Sequence, residues 1–140
     1  MKYICDAPGG KTWFRIETEV EAAQESSLMQ HAVEKHFRRE MEAAKANYKP
    51  TSTVFIEQNI GLANHLQRAM PLFLTLRDGE GNGLATAMLP SGGGGDKGFK
   101  IIIVGAENSD PYPEHAEAIR DLGRHFSLTL EREHCFPYAR

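Results

Sequence analysis

From Pro71 to Leu89 the chain reads as apolar alternation, turn, apolar alternation, and this stretch limits the fold more than any other. Leu72, Leu74 and Leu76 alternate with Phe73 and Thr75, and Leu84–Leu89 returns after Asp78-Gly79-Glu80-Gly81-Asn82-Gly83. Side chains two apart share one face of a strand, and Gly, Asp and Asn between two such segments close a hairpin. A second hairpin is expected at the start. Lys2–Asp6 and Thr12–Glu19 flank the turn-forming Ala7-Pro8-Gly9-Gly10-Lys11. In the second of these strands Thr12, Phe14, Ile16 and Thr18 lie on one side, and Trp13, Arg15, Glu17 and Glu19 on the other.

Helical spacing appears between and after the hairpins. Thr18 and Glu21 form a capping box, in which hydroxyl and carboxylate satisfy free backbone donors. The helix that follows is expected to reach Tyr48, with Met29, Val33, Phe37, Met41, Ala44 and Tyr48 on one face. Lys49-Pro50 ends it, because proline disfavours helical geometry in the residue before it. A helix of that length spans about 45 Å, more than a small domain is wide. A bend near Ser26-Ser27, or a projecting apolar stripe that invites a partner, is therefore expected. Further on, Thr51–Gln58 has the composition of a buried strand, and Leu62–Met70 that of a short helix. Phe99–Val104, with its Ile-Ile-Ile-Val run, reads as a central strand. A helix to His125 buries Ala116, Ile119, Leu122 and Phe126. Ser127–Leu130 reads as a last strand and 131–140 as a polar tail.

The order predicts a single α+β domain over residues 1–140. It is a two-layer sandwich with an antiparallel-rich mixed sheet, on which the long N-terminal-half helix and the C-terminal helix pack. With 140 residues, 41% of them hydrophobic and 25% charged, the chain can bury a core without metals or disulfides. It lacks an 18-residue apolar run and a signal-peptide core, so no membrane partner is expected and a cytoplasmic location is. Cys5 and Cys135 suit a reducing compartment. A net charge of −3, and the mixed signs of Lys35, Arg38 and Arg39 with Glu34, Glu40 and Glu42, argue against nucleic acid.

Chemistry is sparse. The glycine stretch at 91–98 is followed by a strand rather than a helix, and Lys97 by Gly98 rather than Ser or Thr. It lacks the context of a phosphate-binding loop and reads as a flexible connection. His31 and His36 are five apart, about 140° round a continuous helix, and cannot share a metal there. His134 and Cys135 with Cys5 lack zinc-site spacing, so neither a metal nor a cofactor is expected. The loop Gly105–His115 leaves a strand and enters a helix, where Glu107, Asp110, Glu114 and His115 offer an acid/base or hard-metal cluster. Capping by Asp110 and dipole complementation by Glu114 explain the same residues.

His65, in Ile60-Gly61-Leu62-Ala63-Asn64-His65, resembles the phosphoryl-carrying histidine of the IIA components of bacterial sugar phosphotransferase systems. The likeness covers Ile60–Phe126. It departs at Asn64, where that family has proline, and in the N-terminal hairpin and long helix. It implies a phosphoryl acceptor at His65. The leading expectation is a non-catalytic interaction or regulatory domain. It would act as a homodimer, or bind another protein, through Met29, Val33, Phe37, Met41 and Tyr48. The alternative is a small-molecule or phosphoryl-binding domain with Glu107, Asp110 and His115 in a pocket, joined by His65.

Overall fold

The computed structural model describes residues 1–91 and 100–139. Five antiparallel strands form one sheet in chain order: β1 (Lys2–Ala7), β2 (Lys11–Arg15), β3 (Leu72–Arg77), β4 (Gly83–Leu89) and β5 (Ile102–Val104). Four helices pack on it: α1 (Glu19–Met29), α2 (Val33–Ala46), α3 (Phe55–Ala69) and α4 (Tyr112–Phe126). The α+β class, both hairpins and the helix-on-sheet packing follow the sequence pattern. Most of the glycine stretch, and Phe99 at the expected start of the fifth strand, lie outside the described residues.

The sheet carries helices on both faces. Leu72, Leu74 and Leu76 of β3 point with Ala85, Ala87 and Ile103 toward Ile119 and Leu122 of α4. Phe73, on the other side, packs with Ile16, Ala22, Val33 and Phe37. Double coverage explains β3, whose first five side chains are all buried. It also explains Trp13. Its alternation placed it opposite the apolar side of β2, yet it is fully buried and donates to the Ala118 carbonyl at 2.8 Å. The turn of the central hairpin is held by Asp78, whose Oδ1 accepts from the Glu80 and Asn82 amides at 2.9 Å, with Gly81 at a φ of 83°. Gly83 lets the end of α1 approach, because a Cβ there would meet Met29 Sδ at 2.6 Å.

Several expectations are corrected. The capping box at Thr18 and Glu21 is present, but the helix it starts ends at Met29, with Gln30 left-handed at a φ of 53°. Ser26 does not break it. Its hydroxyl accepts from the Glu34 amide at 2.8 Å and supplies the side-chain cap that Ala32 cannot give α2. Folding back replaces projection, so Met29, Val33, Phe37 and Ala44 are buried inside the chain, while Met41 and Tyr48 are half-buried. Most of the stripe is therefore core, with only Met41 and Tyr48 partly accessible. The expected strand at 51–58 is instead the entry to α3, where Ser52 accepts from the Val54 amide at 3.1 Å and its carbonyl from Gln58 at 2.7 Å. Strong β propensity in Val54-Phe55-Ile56 yields to these local bonds.

At the far side, β5 is an edge strand and not a central one. The stretch expected as a polar tail runs back along it. The Phe136 amide donates to the Ile101 carbonyl at 2.7 Å, and the Ile103 amide to the Phe136 carbonyl at 3.2 Å. That closes a row of otherwise unpaired edge groups. Cys135 is buried against the α4 side, and Ser127–Leu130 forms no strand.

Candidate functional site

A cavity of about 250 Å³ opens between the start of α2 and the sheet face that carries Phe73. Val33, Phe73, Met88, Ile102 and Val104 make it apolar, and His31, His36, Thr86 and Asn108 supply its polar groups. The break after Met29 creates it. On an unbroken helix the two histidines would diverge. Because His31 sits before α2 rather than within it, both rings reach one cavity. Asn108 reaches it from the loop after β5, where Glu107 and Asn108 are left-handed at φ values of 57° and 59°.

Behind His31 lies a buried polar chain. Arg77 Nη2 contacts Glu25 Oε1 at 2.5 Å, and Thr86 Oγ1 donates to Glu25 Oε2 at 2.6 Å. Glu25 is 0% exposed. Arg77 Nε also donates to Thr75 Oγ1 at 3.0 Å. His31 Nε2 lies 2.8 Å from Thr86 Oγ1. A hydroxyl has one hydrogen, and Thr86 gives it to the carboxylate, so it accepts from His31. This fixes the imidazole with its hydrogen on Nε2, while Nδ1 accepts a long 3.4 Å bond from the Val33 amide. Burial pushes the His31 pKa down, His36 adds to the depression, and Glu25 opposes it. His36 is set by a different cation. Arg39 Nη2, always a donor, lies 3.2 Å from His36 Nδ1, which leaves the ring hydrogen on Nε2.

The residues singled out from the sequence are spread around the molecule. Asp110 accepts from the Tyr112 amide at 3.0 Å and pairs with Arg132 at 2.8 Å. It shares a cavity of about 220 Å³ with Glu114 and His115, which Glu107 does not line. Lys11 Nζ approaches His115 Nδ1 at 3.1 Å, and burial followed by this cation lowers the histidine's pKa. His65 is elsewhere, within α3, bonded through Nε2 to the Ala44 carbonyl at 3.0 Å, with its ring tilted against Tyr48 at 5.2 Å between centroids. It joins neither cavity. Among the described residues no group of three metal-ligating side chains converges, and no helix is long and apolar enough to cross a membrane. Glu25, Arg77 and Thr86 carry no local signal in the sequence. Only the hairpin register, which sets Thr86 beside Thr75, brings them within reach of α1. No family model, curated protein or solved structure matches the chain.

Proposed function

We propose that the chain is a binding domain for a compact, mainly apolar small molecule that carries one oxygen acceptor. The observation that carries this reading is the apolar cavity whose histidine, His31, is locked by a fully buried carboxylate. Fixed polar groups on an apolar wall orient a ligand at little cost in ordering. By comparison, a dry cavity of about 150 Å³ admits benzene, so the space here suits roughly one substituted ring. The N–H of His36 and the amide of Asn108 supply donors for an oxygen acceptor. Binding is favoured over catalysis because the described lining holds no serine, cysteine, lysine or carboxylate, and the Thr86 hydroxyl is already engaged.

Methyl-detected NMR titration with toluene, acetophenone and phenylacetate tests the reading. The expected shifts concentrate on Val33, Met88, Ile102 and Val104. Met88→Trp, a replacement at a half-buried lining position, should abolish them. His36→Phe should weaken acetophenone about fivefold, the worth of one hydrogen bond, and leave toluene unchanged. Absence of shifts with all three probes at saturating concentration would sink the proposal.

A further inference from the structure

Among the described residues the buried charged side chains are Glu25 and Arg15. Glu25 has Arg77 as its counter-charge. Arg15, 9% exposed at the end of β2, forms no ion pair among the described residues. Its Nη1 donates to Gln67 Oε1 at 3.0 Å and its Nη2 to the Gln67 carbonyl at 3.1 Å, both neutral oxygens. These bonds engage part of the guanidinium's donor set and bring no negative charge to it. A buried cation is costly until a negative charge meets it. Attachment of α3 does not call for that charge, since a neutral donor serves the same oxygens. The carboxylate of Glu17 stands beyond the Gln67 amide, whose Nε2 donates to Glu17 Oε2 at 2.7 Å. Gln67 thus bridges a cation and a carboxylate and keeps them apart.

Both charges line one cavity of about 160 Å³ between β2, α2 and α3. Ile16, Phe37, Met41 and Leu66 give it an apolar wall, and it shares no lining residue with the cavity of His31. We propose that it binds a free α-amino acid with an aliphatic side chain. The ligand's carboxylate meets Arg15, its ammonium meets Glu17, and its side chain lies on the apolar wall. Charge selects this class. A simple carboxylic acid brings a second negative charge beside Glu17, and a simple amine a second positive charge beside Arg15. A zwitterion compensates both, through charge-assisted hydrogen bonds. Space narrows the choice. The volume is close to that of the dry cavity of about 150 Å³ that admits benzene, so a side chain of about four carbons fits. A residue within a peptide carries neither backbone charge and gains nothing from the pair.

Methyl-detected NMR titration of the full chain with L-leucine, isovalerate and isoamylamine reads the outcome. Leucine should shift Ile16, Met41, Leu66 and Met70 and leave Val33 and Ile102, on the other cavity, in place. Isovalerate and isoamylamine each lack one charge and should bind at least about tenfold more weakly, the worth of one charge-assisted hydrogen bond. Arg15→Met keeps the length of the side chain, removes the buried charge and should abolish the leucine shifts, with thermal unfolding as the check on folding. Glu17→Gln, at a half-buried position, retains an acceptor for Gln67 and carries the test independently. It should weaken leucine at least about tenfold and erase its advantage over isovalerate. No shifts at high millimolar leucine, or leucine affinity unchanged in Glu17→Gln, overturns the proposal. Isovalerate binding as tightly as leucine to the wild-type chain also overturns it and gives the cavity to plain anions.

Discussion

Glu25 and Asp110 are both carboxylates joined to an arginine, at 2.5 and 2.8 Å. Glu25 of α1 lies at 0% exposure against the sheet, and both polar partners of its carboxylate, Arg77 and Thr86, come from strands far along the chain. Asp110 is 31% exposed and its arginine 53%, on a loop whose acids and histidine are close in sequence. Distance alone makes the pairs look equivalent, but solvent separates them. A buried pair whose partner is removed leaves an uncompensated charge, whereas a surface pair is replaced by water. A cluster that is conspicuous in sequence can therefore be one that water has already satisfied. The group with the larger energetic role is scattered over distant positions.

The strongest test of that contrast is Glu25→Ala. It strands the Arg77 guanidinium and the Thr86 hydroxyl together, and urea unfolding should show a loss of about 3–5 kcal/mol. A loss below about 1 kcal/mol, the range of exposed pairs, would erase the distinction. A smaller effect comes through pH. The native chain binds a proton at His31 less readily than the unfolded chain, because burial depresses its pKa. The unfolded state therefore takes up more protons as pH falls below about 6.5, the ordinary histidine value, and stability declines. Full stability from this group is present above that pH. His115, depressed by burial and Lys11, acts with the same sign. His31→Asn should remove part of the drop in urea midpoint between pH 7 and pH 5. An unchanged drop would mean that the buried chain does not govern the ring. The smallest effect belongs to Asp110→Ala, expected to cost no more than about 1 kcal/mol because its partner Arg132 stays solvated. A larger cost there would move the loop into the class of Glu25.

Much of the scaffold was legible because it is written in neighbouring residues. Asp78, Gly81 and Asn82 announce the central turn, Thr18 and Glu21 the start of α1, and Ile119 and Leu122 the buried side of α4. What could not be read depends on partners distant in sequence. Gln30 ends a helix without the glycine that usually marks a left-handed residue, and Ser26 caps α2 across the break. Val54-Phe55-Ile56 has strand composition, but the bonds of Ser52 to the Val54 amide and the Gln58 side chain draw it into α3. The candidate site shows the same limit. His31 and His36 were visible and were set aside on helical geometry that the break cancels. Glu25, Arg77 and Thr86 become a group only when the register of β3 and β4 is known.

The segment that lies along β5 also sets an order of events during synthesis. Phe136 closes the edge that Ile102 and Ile103 expose, so that edge cannot be finished when β5 itself emerges. At about 5–20 residues per second, the roughly thirty residues between Ile103 and Phe136 take a few seconds to appear. For that interval the nascent sheet presents an open, isoleucine-rich strand.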